Sequence, residues 1–263
     1  MSAEFSEVTE LAGSQITAEQ LERMYHRYEW AAGFCGNKDV VEVACGSGSG
    51  LGILSRASNS IEAGDYSDRI LALARAHYGT RVSLMQMDAQ SLPLRDASKD
   101  VIILLEAIYY LPDAARFARE CRRVLRPGGC VLVATANKDL WDFNPSPFSH
   151  RYYGARELTD LFGQCGFRAD IYGYMPVSTV SWRQRLLRPA KRLAVRMGVM
   201  PRSLRGKRFL KRFVFGRLVT MPAELSIRSE DIVPPQAVSG NEADRLHKVL
   251  YCRATLMERE SGR

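Results

Sequence analysis

The feature that most restricts the fold of this chain is a short apolar run that ends directly in a glycine-rich turn. Residues 40–51 have the sequence VVEVACGSGSGL, in which Gly46, Gly48 and Gly50 alternate with small residues. Glycine adopts positive φ angles readily and leaves room for another group to approach the backbone closely. The pattern predicts a buried strand, a tight turn and the beginning of a helix, with another group packed against the turn.

The chain continues this alternation of strands and helices up to residue 175. Apolar runs predict strands at 60–63, 81–88, 100–107, 130–137 and 168–175, and amphipathic stretches predict helices at 17–32, 51–58, 67–79, 113–125 and 155–167. This order is typical of α/β proteins with a doubly wound, mostly parallel sheet and helices on both faces. Because ligands bind beyond the carboxyl ends of the strands in such sheets, we expect functional residues in the loops that follow the strands.

The turn after the first strand does not match a phosphate-binding motif. A P-loop needs Lys and Ser or Thr after its last glycine, whereas Leu51-Gly52 follow here, and a dinucleotide fingerprint needs a third glycine where Leu51 stands. Three acidic residues, Glu42, Asp65 and Asp88, lie in the first strand or at the ends of the next two. A crevice with three carboxylates repels a pyrophosphate and suits a nucleoside with a cationic group, such as an ammonium or a sulfonium.

From about residue 17 to residue 167 the chain resembles a class I S-adenosylmethionine-dependent methyltransferase of the methyltransferase type 11 kind. The motifs that carry the resemblance are, in chain order, VVEVACGSGSG, AGDYSDRIL, MDAQSLPL, DVIILLEAIYYLPD, RRVLRPGG and ARELTDLFGQCGF. The family usually has glycine where Ala44 stands. The resemblance implies a three-layer, Rossmann-like α/β/α fold with seven strands, of which the last, at 247–257, is reversed. It also implies S-adenosyl-L-methionine as the cofactor and S-adenosyl-L-homocysteine as its product.

The resemblance further implies a set of cofactor-binding residues at the strand ends and on the first helix. The set consists of Arg27, Tyr28, Glu42, Ala44, Cys45, Gly46, Gly48, Asp65, Tyr66, Asp88, Ala89, Glu106 and Ala107. Asp65 is expected to hold the ribose hydroxyls, Tyr66 and Asp88 to contact the adenine, and Arg27 to meet the methionine carboxylate. The two glycines of the set and Glu106 are expected beside the methionine part of the cofactor. No metal site is expected.

Two residues in the later loops are candidates for the chemistry of methyl transfer. The reaction is an in-line displacement, for which the protein mainly aligns the acceptor with the methyl group, and a hydroxyl acceptor also benefits from a general base. His150 is the first candidate, since an imidazole titrates near neutrality, and Tyr110 is the second. We therefore predict O-methylation of a small-molecule, saccharide or lipid-linked acceptor.

The net charge of +8 is concentrated in one segment. Between Asp170 and Glu224 there are thirteen Lys and Arg residues and no acidic residue. A long stretch separates the sixth strand from the reversed last strand, whereas this connection is usually short. We predict three parts: a helical lead-in at 1–38, a methyltransferase domain formed by 39–175 and 247–263, and a basic cap at 176–246 inserted over the active site.

The composition of the basic cap is compatible with more than one kind of partner. Residues 182–217 combine bases with large apolar side chains, as do helices that lie on an anionic membrane surface. The alternatives are an apolar lid with solvated bases and a grip on nucleic acid. The competing functions are therefore an RNA methyltransferase and a non-catalytic nucleoside-binding or membrane-adaptor protein, with nucleic acid the less favoured partner.

The sequence also bears on where the protein is located. The first residues carry acids and no apolar core, so we expect no secretory signal, and no apolar run is long enough to span a membrane. Its six cysteines occur singly, which indicates neither a zinc site nor a disulfide framework. We expect a cytoplasmic protein with reduced thiols, and a peripheral contact with the membrane through 182–217.

Overall fold

The computed structural model describes residues 11–141, 143–146, 148–177, 218–226 and 233–257. The amphipathic stretch 182–217, and with it most of the predicted basic cap, lies outside the described residues. So do residues 1–10 of the predicted lead-in and residues 258–263 of the predicted domain.

The described part of the chain contains strands and helices in nearly the predicted order. The strands are β1 (Gln15–Thr17), β2 (Asp39–Val43), β3 (Ser60–Asp65), β4 (Ser83–Gln86), β5 (Lys99–Leu105), β6 (Leu125–Ala136), β7 (Phe167–Pro176), β8 (Leu218–Thr220), β9 (Gln236–Val238) and β10 (His247–Leu256). The helices are α1 (Ala18–Ala32), α2 (Leu51–Ala57), α3 (Asp68–Tyr78), α4 (Ala114–Val124) and α5 (Ala155–Gln164). The elements predicted between residues 39 and 175 all occur, with ends that differ by a few residues.

The main sheet has the strand order β4-β3-β2-β5-β6-β10-β7-β9. β2 pairs in parallel with both β3 and β5, whereas β10 runs antiparallel to β6 and β7, so the reversed last strand is confirmed. An eighth strand, β9, extends the sheet beyond the seven that were predicted, by antiparallel pairing with β7. β9 comes from the predicted cap, and its three residues are too few to show a strand pattern in the sequence.

Both faces of the sheet are buried beneath helices. In β5, Ile102 and Leu104 belong to the hydrophobic cluster that also contains residues of α4 and α5, whereas Val101 and Ile103 belong to the cluster that contains residues of α1 and α2. Successive side chains of a strand point to opposite faces, so an uninterrupted apolar run fits a strand that is covered on both sides. The doubly wound, three-layer architecture is therefore confirmed.

Helix α1 begins at a capping box and lies beside the carboxyl end of the sheet. The Gln20 amide donates to Thr17 Oγ1 at 3.1 Å, and the Thr17 amide donates to Gln20 Oε1 at 2.9 Å. These bonds satisfy amides that would otherwise lack partners in the first helical turn. The cap therefore fixes where the helix starts, and with it the positions of Arg23 and Arg27 farther along.

The predicted helical lead-in at 1–38 also contains a strand, β1, which precedes helix α1. The Gly13 amide donates to the Met221 carbonyl at 2.9 Å, and β1 pairs antiparallel with β8 in a separate two-stranded sheet. Ile16 is buried in the same hydrophobic cluster as α1. The partner strand lies about 200 positions away in the sequence, which is why local composition could not predict the pairing.

Within the described ranges, no helix is both long and apolar enough to cross a bilayer.

Candidate active site

A cavity of about 500 Å³ opens at the carboxyl ends of β2, β3 and β5, beside helix α1. The predicted site residues that line it are Arg27, Tyr28, Ala44, Cys45, Gly46, Asp65, Tyr66, Asp88, Ala89, Glu106, Ala107, Tyr110 and His150. Glu42 and Gly48 are the two predicted residues that are not among the lining residues. Parallel strands and their following loops thus bring side chains from distant parts of the sequence to one place.

Asp65 forms the part of the cavity wall next to the glycine-rich turn. Its Oδ2 accepts a hydrogen bond from the Gly46 amide and its Oδ1 accepts one from the Ser67 amide, both at 2.9 Å. Burial raises the pKa of the Asp65 carboxyl above its ordinary value, although these amide bonds act in the opposite direction. Each carboxylate oxygen can accept a further hydrogen bond, so the fixed carboxylate is arranged to receive two hydroxyl groups.

The adjoining wall combines an exposed aromatic ring with a tight turn. Tyr66 is 55% exposed at the edge of the cavity, and its carbonyl accepts a hydrogen bond from Gln86 Nε2 at 3.0 Å. Asp88 Oδ1 accepts from the Gln90 amide at 2.8 Å, which closes a turn around the buried Ala89. A flat ring beside a small buried residue can enclose a planar heterocycle.

On the opposite wall, Glu106 has an unusual backbone conformation. Its φ angle is +54°, and that of Ala44 at the end of the neighbouring strand is +57°. Left-handed backbone is unfavourable for residues other than glycine and is concentrated at functional sites. Glu106 Oε1 lies 3.7 Å from Arg23 Nη2, and Glu106 Oε2 accepts from the Tyr109 hydroxyl at 3.2 Å. The wall therefore offers a carboxylate that is held by a cation and a phenol.

Arg23 is a cavity residue that the sequence prediction missed. It lines the cavity together with Arg27, one helical turn farther along α1. The spacing of four was visible in the sequence, but nothing local showed that this face of the helix would cover the carboxyl ends of the strands. The cavity therefore contains two arginines among its carboxylates.

The glycines of the turn are approached mainly by other parts of the same chain. Of the four glycines at 46–52, only Gly46 lines the cavity. Gly48 has a φ of +81°, and a Cβ there would come within 3.0 Å of the Tyr78 ring of α3. A Cβ at Gly50 would overlap the Tyr28 ring of α1, and one at Gly52 would overlap the Glu224 carboxylate. The structure thus places Gly48 against α3 and away from the cavity.

Glu42 is completely enclosed beside the turn. Its Oε1 accepts a hydrogen bond from the Tyr28 hydroxyl at 2.8 Å, and its Oε2 has no hydrogen-bond partner among the described residues. Burial raises the pKa of the Glu42 carboxyl to about 7. Glu42 therefore connects α1 to β2 from a position behind the residues that line the cavity.

The remaining wall is a group of tyrosines next to His150. The Tyr109 ring stacks on the Tyr152 ring with centroids 4.2 Å apart, and the Tyr110 hydroxyl lies 2.7 Å from Ser146 Oγ. The His150 amide donates to the Tyr109 carbonyl at 2.8 Å, which holds the loop after β6 against the loop after β5. Burial raises the pKa of Tyr110, so its phenol remains protonated at neutral pH and is suited to donate a hydrogen bond.

The sequence is similar to those of known methyltransferases. Residues 41–133 match the family model described as a methyltransferase domain. A probable S-adenosylmethionine-dependent methyltransferase of Mycolicibacterium smegmatis is 37% identical over 54% of this chain and 57% of its own length. A ubiquinone biosynthesis O-methyltransferase of Cupriavidus pinatubonensis is 31% identical over 43% of this chain and 48% of its own length. The chain thus spans about half the length of these curated relatives.

A solved structure has a similar fold. The YcgJ protein of Bacillus subtilis has a TM-score of 0.56 and 16% identity, with 89% of this chain and 99% of that chain covered. At this identity the likeness bears on the fold alone. The family match, the strand order with its reversed β10 and the named relatives together show that the chain carries the methyltransferase domain of the class I S-adenosylmethionine-dependent methyltransferases.

Proposed function

We propose that the protein transfers the methyl group of S-adenosyl-L-methionine to an oxygen atom of a small-molecule, saccharide or lipid-linked acceptor. The observation that carries this proposal is one cavity in which Asp65, at the end of β3, meets Glu106 and His150 from two later loops. The O-methyltransferase among the relatives supports oxygen as the acceptor atom. The acceptor classes are those that the basic, acid-free segment between Asp170 and Glu224 led us to predict.

The residues of the cavity fit the cofactor. A volume of about 500 Å³ lies within the usual range for small-molecule sites. Asp65 would hold the ribose hydroxyls, Tyr66 with Ala89 would enclose the adenine, and Arg27 would pair with the methionine carboxylate. Glu106 would face the cationic part. When bound, S-adenosyl-L-methionine supplies an electrophilic methyl group on a positively charged sulfur.

The chain itself then has two tasks, which are alignment and removal of a proton. The Tyr109 ring lines the cavity and is held by stacking on the Tyr152 ring, so an acceptor can lie against Tyr109. The Tyr110 phenol can donate a hydrogen bond to the acceptor. His150 lies exposed at the rim of the cavity and can accept the proton of the acceptor hydroxyl. Such alignment is the main way in which a protein accelerates an in-line displacement.

The proposed function is tested by a labelled-methyl screen with glycan, lipid-linked and phenolic acceptors. Methyl transfer to one of them supports the proposal. Cofactor binding without transfer to any acceptor would favour the non-catalytic alternative. Transfer to RNA that falls steeply with salt concentration would favour an RNA methyltransferase that grips its substrate through the basic segment. The contact of 182–217 with an anionic membrane remains a prediction.

Substituting Asp65 tests the cofactor site directly. Asp65→Ala is expected to weaken the binding of S-adenosyl-L-homocysteine by about 1–3 kcal/mol, the range for a lost hydrogen bond to a charged group. Isothermal titration calorimetry measures this. Asp68→Ala, which removes a nearby carboxylate that is paired with Arg75 on the surface, is the matched control. Equal affinity of the wild-type and Asp65→Ala proteins would place the ribose elsewhere.

Substituting His150 tests the proposed base. His150→Gln is expected to lower kcat about 100-fold to 10,000-fold with a hydroxyl acceptor, because the side chain that takes the proton is lost. The affinity for S-adenosyl-L-homocysteine should stay at the wild-type value, since the His150 amide can still bond to Tyr109. Steady-state kinetics with the acceptor from the screen decide the matter, and an unchanged kcat would exclude His150 as the base.

A further inference from the structure

A segment from the predicted cap lies against the glycine-rich turn from outside the cavity. The Leu225 amide donates to the Ser49 carbonyl at 2.7 Å, and the Leu225 side chain is fully buried. The Glu224 carboxylate lies over Gly52, where a Cβ would overlap it. Absence of a side chain at residue 52 is therefore explained by Glu224 and not by a ligand.

The Glu224 carboxylate joins the two helices that follow the turn. Its Oε2 lies 2.8 Å from His77 Nε2 and 3.1 Å from Arg81 Nη2, and its Oε1 lies 3.6 Å from Arg56 Nη1. Arg56 belongs to α2, which begins at the turn, and His77 belongs to α3. Exposed ion pairs contribute little one at a time, but one carboxylate shared by three cationic or ionisable groups fixes the relative positions of the elements that carry them.

The turn needs such support because its own backbone is unusually free. Four of the seven residues at 46–52 are glycine, which loses more conformational freedom on ordering than any other residue. Tyr78 restrains part of the turn, since its hydroxyl donates to the Gly48 carbonyl at 2.8 Å and accepts from the Gly52 amide at 3.1 Å. Glu224 and Leu225 contact the turn at Gly52 and Ser49, and Ser49 lines the cavity.

The same segment also reaches the lead-in. The Met221 amide donates to the Ser14 carbonyl at 2.9 Å, just before β1 and helix α1. Helix α1 in turn covers Gly50 with the Tyr28 ring and supplies Arg23 and Arg27 to the cavity. One short segment of the insertion thus contacts both the turn and the strand that leads into α1.

We propose that Glu224 is a positioning residue for the cofactor, which acts with the Leu225 amide by holding the turn at residues 46–52 in its binding conformation. The inference rests on the proposed function, since it assumes that the turn borders the bound cofactor. Without Glu224, part of the binding free energy would be spent on ordering the turn, so the affinity would fall although no contact with the cofactor is lost.

The test compares Glu224→Ala and Glu224→Gln with Asp100→Ala in the full chain. Asp100 is a matched control because its side chain is 21% exposed, against 20% for Glu224, and it also pairs with an arginine, Arg126. It lies at the opposite end of β5, away from the cavity. Calorimetric titration with S-adenosyl-L-homocysteine gives the dissociation constants, and hydrogen exchange reports on the amides of the turn.

We expect Glu224→Ala to raise the dissociation constant about 2-fold to 30-fold, with a smaller rise for Glu224→Gln, and to speed exchange of the turn amides. Asp100→Ala should change neither the dissociation constant nor the exchange of the turn amides, even if it lowers Tm as much as Glu224→Ala does. Wild-type affinity in Glu224→Ala, or an equal loss in Asp100→Ala, would overturn the inference. If the wild-type protein does not bind the cofactor at all, the proposed function fails. Even then, unchanged hydrogen exchange of the turn amides in both Glu224 variants would show that Glu224 does not hold the turn.

Discussion

Replacing Gly50 by alanine is expected to lower the free energy of unfolding by about 2–3 kcal/mol, in the upper part of the range for overpacking. The φ angle of Gly50 is −98°, which alanine also adopts, so the cost is steric. An added Cβ would overlap the Tyr28 ring, which is 4% exposed and is held by the bond from its hydroxyl to Glu42. The ring cannot move away without breaking that bond or displacing α1.

Urea denaturation measures the effect of Gly50→Ala, and two comparisons show its cause. Gly163→Ala makes the same change in α5, where a Cβ meets nothing within 4 Å, and should raise stability by up to about 1 kcal/mol. In a Tyr28→Ala background, Gly50→Ala should cost little, because the ring with which it collides is absent. Equal losses in the two backgrounds would mean that Tyr28 is not what excludes a side chain at Gly50.

The Glu42→Gln variant is expected to change how stability depends on pH. Burial, together with the charge of Asp65, raises the pKa of the folded-state Glu42 carboxyl to about 7 from an ordinary value of 4.5, against the hydrogen bond from Tyr28. Between these values the folded protein keeps a proton that the unfolded chain has released. The stability of the wild-type protein should therefore fall as the pH rises from about 4.5 to 7, by about 3 kcal/mol from this group.

A glutamine side chain does not titrate, so the variant should lack the decrease in stability with rising pH that comes from Glu42. Its amide can still accept from Tyr28, but its NH₂ group would be buried without a known partner, which costs about 1–3 kcal/mol at every pH. The expected result is that the stability of Glu42→Gln minus that of the wild-type protein rises by about 3 kcal/mol between pH 5 and pH 8. Urea denaturation across this range measures it, with Glu242→Gln on the surface as the control. Parallel curves would show that Glu42 titrates as an exposed acid.

The close packing around the glycine-rich turn could be predicted from the sequence only in part. The alternating glycines correctly predicted that other groups pack closely against this backbone. They did not show that Tyr78, Tyr28 and Glu224 are the groups that approach Gly48, Gly50 and Gly52. A glycine indicates that another group needs the space that a side chain would fill. Which group fills that space depends on contacts that form only in the folded chain.

The reversal of the last strand was implied by the resemblance to a known family. The order of strands and helices, and the acidic residues at the strand ends, could be predicted from local sequence alone. These features follow from the periodicity of side chains along each element and from the rule that parallel strands end at one edge. The folded structure was needed to show which face of α1 borders the cavity, that β1 pairs with β8, and that the Leu225 amide bonds to Ser49. Each of these depends on contacts between residues far apart in the chain, and such contacts leave no periodic trace in the local sequence.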